Sequence, residues 1–336
     1  MLLSVCVAVR YYSRLFEESL TFLAELLKDE EGSAEIIILF NATDERLLAL
    51  AERTTEKFPQ ISLVSYEGTR SRRDLMWSLA QEAKGKFLWF LGDGVLPMKG
   101  SASLILSIIN DDKLSIGMKV LLLNTGKFAE DYQREMQNME ELVVFKTIRE
   151  SNQFARGLDF MKYFALEDLL APHAMVFDRA AFLRTSFASF PEAMEHPHLV
   201  ALLECANQGA AVYFPRICTI ARDEGLEKDT ARRMMHNHCE LPLLYKRAAE
   251  LGVPRGNSTT RLNRILGRSY RECAIMLLHR EQFQPIIEEV WKHHSKKIIF
   301  WFTIFPMDVL LTPAFMRRFA KRILRKTSPD MILDSA

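Results

Sequence analysis

Residues 83–97 read Ala83-Lys84-Gly85-Lys86-Phe87-Leu88-Trp89-Phe90-Leu91-Gly92-Asp93-Gly94-Val95-Leu96-Pro97. Leu75, Met76, Leu79, Ala80 and Ala83 recur at helical spacing up to the break at Gly85. Lys86 to Leu91 then has the apolar run expected of a strand buried on both faces. An acid between two glycines follows, and after it a proline. The pattern is helix, buried strand, and a carboxylate delivered at the strand's carboxyl end. Open α/β sheets bind their ligands at that edge.

The same alternation extends upstream. Leu2 to Val9 reads as a first buried strand, and Phe16, Leu20, Leu23 and Leu27 mark the helix after it. Glu35 to Phe40 is a second strand, and Asp44 is the expected N-cap of a helix with Leu47, Leu48 and Ala51 on its inner face. Ile61 to Tyr66 is a third strand. This order implies a parallel sheet with right-handed crossovers. No G-x-G-x-x-G follows the first strand and no G-x-x-x-x-G-K-[ST] occurs, which argues against a dinucleotide site or a P-loop.

Downstream, Leu114 to Leu123 reads as a strand and Glu130 to Phe145 as a polar helix. A short strand over Ala174 to Phe177 leads into a short helix from Arg179. A helix over His198 to Gln208 is expected to close at Gly209 as its C-cap, with a strand over Ala211 to Phe214. From about Glu227 onward only helices are expected. The predicted organisation is an α/β domain over 1–225, a helical extension over 226–297 and a tail over 298–336.

The 336 residues are 49% apolar and 26% charged, as in an ordinary globular protein, and a net charge of +1 argues against nucleic acid as a partner. Five scattered cysteines without a C-x-x-C pair point to a reducing compartment. Met1 to Val9 lacks the basic start and small-residue cleavage site of a signal peptide. In the tail, Phe315, Met316, Phe319, Ala320, Ile323 and Leu324 share one half of a helical wheel, and Arg317, Arg318, Lys321, Arg322, Arg325 and Lys326 the other. Such a helix suits the headgroup layer of an anionic membrane. His236-x-His238-Cys239 has metal-ligating atoms but no evident fourth ligand.

The strand ends offer Arg10, Asn41 with Asp44, and Asp93, and the third helix begins near Arg70, Arg72, Arg73 and Asp74. In a doubly wound sheet these positions converge on one crevice. Carboxylates and amides there suit a base and ribose, arginines and a helix N-terminus suit phosphates, and an acid at a strand end suits a divalent cation.

The segments Ser4-Val5-Cys6-Val7-Ala8-Val9-Arg10-Tyr11-Tyr12-Ser13-Arg14, Glu35 to Asp44 and Ala83 to Asp93 resemble, in order, three landmarks of the family 2 glycosyltransferases. These are the opening strand, the second strand with its acidic turn, and the approach to a metal-binding D-x-D. The likeness covers residues 1–110 well and 170–225 weakly, and is greatest to bacterial O-antigen and capsule transferases of the abequosyltransferase-like group. The resemblance implies a GT-A fold, with a Rossmann-like mixed sheet flanked by helices. It also implies a nucleotide-sugar donor, a divalent cation (Mn or Mg) and inversion at the anomeric carbon.

Carried over by position, Asn41, Asp44 and Asp74 contact the nucleoside, Asp93 is the first acid of the D-x-D, and Arg222 binds diphosphate. The chain departs from the pattern at Val95, where the second acid belongs, and at Val9-Arg10-Tyr11-Tyr12, where the family prefers Pro-Thr-Tyr-Asn. The resemblance implies an acid as general base just before a helix, about eleven residues ahead of a glycine; counting back from Gly209 reaches His198, with Glu195 as the alternative. The implied activity is sugar transfer to a lipid-linked saccharide by a cytoplasmic protein peripheral to the inner face of the plasma membrane. The competing reading is a non-catalytic relative that binds nucleotide sugar, or takes part in polysaccharide assembly. A sugar nucleotidyltransferase is disfavoured, since no Gly-rich basic loop follows the first strand.

Overall fold

The computed structural model describes residues 1–27, 30, 32–58, 61–92, 94–128, 151–191, 194–222, 236, 240–254 and 288. Asp93, the expected helix over 130–145, the 298–336 tail and most of 226–297 lie outside the described residues. The chain divides into two compact units, Met1–Glu224 and Gly225–Ala336.

The first unit is built on β1 (Leu3–Val9), β2 (Ala34–Asn41), β3 (Ile61–Tyr66), β4 (Phe87–Gly92), β5 (Val95–Pro97), β6 (Met118–Phe128), β7 (Asn152–Phe154), β8 (Met175–Asp178) and β9 (Ala210–Arg222). Its helices are α1 (Arg14–Leu26), α2 (Glu45–Lys57), α3 (Arg72–Glu82), α4 (Ser101–Asn110), α5 (Arg179–Leu183) and α6 (His198–Asn207). The nine strands form one sheet in the order β3-β2-β1-β4-β8-β6-β9-β5, with β7 paired to β9. β1 pairs in parallel with both β2 and β4, and β2 with β3. β8 runs antiparallel to β4 and to β6, and β6 runs parallel to β9. Two reversals restore direction, so β1, β2, β3, β4, β6 and β9 all end at one carboxyl edge. The sheet is therefore mixed, with a parallel half made by the first hundred residues.

Each early helix starts where the sequence supplies a cap. Ser13, Asp44 and Ser71 accept from backbone N–H groups in the first turns of α1, α2 and α3. Such caps are worth about 1 kcal/mol each. Helices cover the sheet in two groups. Leu3, Val5, Val7 and Val9 join one apolar cluster with Phe16, Leu20 and Leu23 of α1 and with Ile105, Leu106 and Ile109 of α4. Leu75, Met76, Leu79 and Ala80 of α3 are buried outside that cluster, where α3 packs against β1 and β2. Complete burial of a side chain of this size is worth about 1.5–3 kcal/mol.

At the amino edge of the sheet the buried Glu35 gathers three donors. The Ser4 hydroxyl lies 2.5 Å from Oε1, the Lys84 N–H donates at 2.6 Å and the Gly85 N–H at 3.2 Å. A Cβ on Gly85 would stand 2.6 Å from both the Ser4 nitrogen and its Oγ, so only glycine passes there.

Three sequence expectations need correction. Gly209 is not a left-handed C-cap: α6 closes on Gln208, and Gly209 is absent from the positive-φ glycines. It is required because a Cβ would collide with the Gly117 carbonyl, against which the Ala210 N–H donates at 2.8 Å. β6 begins at Met118 and not Leu114, because the Asp111 carboxylate binds the N–H groups of Lys113 and Leu114 and holds that stretch in a turn. β9 runs from Ala210 to Arg222, well beyond the predicted Phe214, because both its edges are paired. β5 and β7 carried no distinct sequence signal; α4 did, in Ala102, Ile105, Leu106 and Ile109 at helical spacing, yet it is absent from the expected elements.

Among the described residues Cys6, Cys205 and Cys218 are free and buried. Burial pushes all three thiols up, that of Cys218 to about 12. In the second unit, α7 (Leu241–Glu250) buries Leu241, Leu244 and Tyr245. Beside it His236 Nδ1 lies 2.9 Å from Glu240 Oε2. Among the described residues no helix is long and apolar enough to cross a membrane.

Candidate active site

The carboxyl edge gathers most of the predicted polar residues. Asp44 fastens the ends of β1 and β2 together, since its Oδ2 accepts from the Tyr12 N–H at 3.0 Å. Its Oδ1 accepts from Arg46 N and Leu47 N at 3.0 and 3.3 Å. The Tyr12 hydrogen bond is the main cause holding this carboxyl below its ordinary value, opposed by partial burial. Asn41 ends β2, and its Oδ1 accepts from the N–H and hydroxyl of Thr43 at 3.1 and 2.8 Å. Asn41 is also the register partner of Tyr66 at the end of β3, where the Arg70 guanidinium stacks 5.3 Å from the Tyr66 ring. Arg10 follows β1 and is exposed, as is Tyr11 beside it.

The first turn of α3 adds Asp74. One of its oxygens accepts from the Ser71 hydroxyl at 2.7 Å, and the other takes a fork from Arg73 Nε and Nη2 at 3.0 and 2.8 Å. Partial burial pushes this carboxyl up, but Ser71 and Arg73 outweigh it and the net shift is downward. Arg72 Nη1 donates to the main-chain oxygen of Glu195 at 3.0 Å, and Arg73 Nη1 donates to that of Phe190. The sequence had marked both arginines for phosphate. Their partners are carbonyls more than a hundred residues away, which leave no local sequence signal.

Glu195 therefore stands at the same edge, half-buried. His198 opens α6 and is fully buried, its Nε2 3.2 Å from the Leu169 carbonyl oxygen. A carbonyl only accepts, so the ring carries its proton on Nε2. His196 lies next to it with ring centroids 5.9 Å apart. Arg222 ends β9 at this edge, one residue beyond Ala221, the register partner of Val95.

Val95 is 7% exposed and belongs to the apolar core cluster. At the β4–β5 corner the described residues Gly92, Gly94 and Val95 supply no side-chain ligand atom, and valine fills the position of the second acid. The described residues of this corner thus do not fit the two-acid metal site that the resemblance implies.

No protein-family profile matches the chain, and no curated protein matches it. Solved structures do. S. aureus TarS 1–349 in complex with UDP-GlcNAc aligns with a TM-score of 0.58 at 13% identity, covering 94% of this chain and 88% of that one. The chain has the GT-A fold. A longer S. aureus TarS structure aligns at 0.54 and 16% identity, with 80% of this chain covering 44% of that one. A mannosyltransferase from Pyrobaculum calidifontis, in complex with GDP-Man and Mn2+, aligns at 0.51 and 15% identity over 92% of this chain and 85% of that one. Asn41, Asp44, Asp74, Glu195 and Arg222 stand at one edge of this GT-A sheet.

Proposed function

We propose that the chain is an inverting glycosyltransferase that takes its sugar from a nucleotide-diphosphate donor. The observation carrying this reading is the gathering of Asn41, Asp44, Asp74, Glu195 and Arg222 at the carboxyl edge of a GT-A sheet. Asp44 and Asp74 receive the nucleoside through carboxylate oxygens that still have a lone-pair direction to offer, and Asn41 through its amide N–H groups. Arg10 and Arg222 receive the diphosphate as cations. Asp93, the residue after β4 in sequence, is assigned to the same diphosphate.

In the transfer, the acceptor hydroxyl oxygen attacks the anomeric carbon. The bond from that carbon to the diphosphate oxygen breaks, and the nucleoside diphosphate leaves with the electron pair. The hydroxyl proton goes to a protein base. Burial decides between the two candidates. His198 is sealed within the fold with Nε2 committed to Leu169, whereas Glu195 is half-exposed beside α3. Glu195 is the base in this reading, and His198 supports the turn that carries it.

The acceptor is a lipid-linked saccharide of bacterial surface polysaccharide synthesis, such as O-antigen or capsule, met at the inner face of the plasma membrane. The divided basic and apolar faces of residues 315–326 support this. Val95 supports a second reading, a non-catalytic relative that binds the nucleotide sugar without turning it over.

A thermal-shift screen of UDP- and GDP-sugars, with and without Mn2+, tests the core of the reading. One donor is expected to raise the melting temperature by several degrees. No shift with any of them would overturn it. Transfer to a bacterial lipid extract separates the enzyme from the non-catalytic relative, and Glu195→Gln is expected to lower kcat by at least about 100-fold.

A further inference from the structure

We infer that Arg72 and Arg73 are positioning residues that clamp the main chain at Phe190 and Glu195 to the donor side of the crevice and thereby set Glu195. The inference rests on the transferase reading and deepens it. Both arginines lie in the first turn of α3, where free guanidinium groups would suit a diphosphate. Both instead reach main-chain oxygens of one distant segment, Arg72 that of Glu195 at 3.0 Å and Arg73 that of Phe190. Arg73 is locked by Asp74, which is itself held by the N-cap Ser71. Its side chain is only 12% exposed. One turn further along the same helix, Trp77 stacks on Phe187, with centroids 6.2 Å apart and planes 19° apart.

Three points of one helix thus hold Phe187, Phe190 and Glu195, and the helix carrying them also carries Asp74. Donor side and acceptor side are joined through charge-assisted bonds to backbone, which fix the chain while leaving the Glu195 side chain half-exposed. A base must sit within hydrogen-bond reach of the proton it takes, and a misplacement of about 1 Å costs on the order of 100-fold in rate. The guanidinium fork is planar and preorganised. A lysine ammonium at the same position carries the charge without that geometry.

The test uses the full-length protein with Arg72→Met and Arg72→Lys. Amide hydrogen exchange over 188–198 is expected to quicken by about tenfold or more in Arg72→Met and less in Arg72→Lys, while the strands keep their protection. With UDP-GlcNAc or GDP-mannose, whichever the thermal screen selects, kcat is expected to fall about 10–100-fold with donor KM within about threefold. Arg72→Lys should recover part of that loss. Unchanged exchange would overturn the clamp. Quickened exchange with normal kcat would reduce it to a structural tie and overturn the positioning role. A raised donor KM with normal kcat would show that Arg72 binds phosphate instead. Wild-type protein inert toward every donor sinks the transferase reading itself, whereas a defect confined to the variants does not.

Discussion

At the scale of single residues, Asp44 and Val95 mark what the edge can and cannot do. Asp44 binds three N–H groups with two oxygens. In Asp44→Asn one oxygen becomes an amide donor, set against the Tyr12 N–H or against the start of α2. A loss of about 1 kcal/mol is expected, since water screens the exposed part of the group. The pH dependence has a definite sign. The folded carboxyl lies below its ordinary value of 3.8, so its contribution is complete above that value and disappears as pH falls through the folded one. Urea midpoints of wild type and Asp44→Asn should therefore differ at pH 7 and converge toward pH 3. A constant gap would show that the carboxylate charge is irrelevant. Val95→Asp restores the family's two-acid pattern on paper, but it puts a carboxylate into a position 7% exposed among apolar neighbours. Burial of an unpaired polar group costs several kcal/mol. The variant should melt well below wild type and gain no Mn2+ dependence. A gain of Mn2+-dependent donor binding at unchanged stability would show that the corner adapts to metal.

At the scale of elements, the parallel half of the sheet was readable because each strand and helix there follows a local rule. Apolar runs bounded by Asp44 and Gly85 state where elements begin and end. The reversal at β8 was not readable, since antiparallel pairing to β4 and β6 is chosen by neighbours far along the chain. β5 has only three residues, too few to show a period. The clamp from α3 was equally hidden, because its acceptors are backbone oxygens and any residue type carries one. Local and long-range terms meet at the β1–β2–β4 junction. Gly85→Ala would push a methyl into Ser4 and the Leu3 carbonyl carbon, at 2.6 and 2.7 Å, with backbone atoms that have nowhere to go. The Gly85 N–H bonds to Ser4 Oγ and Glu35 Oε1 would open with it. A loss of about 2–4 kcal/mol is expected from chemical denaturation. A loss under about 1 kcal/mol would mean that the amino edge is looser than its geometry.

At the scale of the whole molecule, one edge of the first unit carries the polar groups, while the basic amphipathic stretch begins more than ninety residues beyond the sheet's last strand in sequence. Nothing in the net charge of +1 drives the chain to an anionic surface, so any such attraction must come from a local cluster. Arg317, Arg318, Lys321, Arg322, Arg325 and Lys326 are that cluster, with Phe315, Phe319 and Ile323 on the opposite face of the wheel. Each cation near an anionic leaflet contributes about 1 kcal/mol, and the effect fades beyond a Debye length. Wild-type protein should sediment with phosphatidylserine-containing vesicles, release as salt rises toward 0.5 M (a Debye length of about 4 Å), and bind neutral vesicles weakly. Replacing the six cations by Gln should lower partitioning by at least about 100-fold without altering donor binding, because the donor groups belong to the first unit. Equal sedimentation of both proteins would remove the membrane from the proposal and leave a transferase, or a nucleotide-sugar binder, whose acceptor must reach the sheet edge from solution.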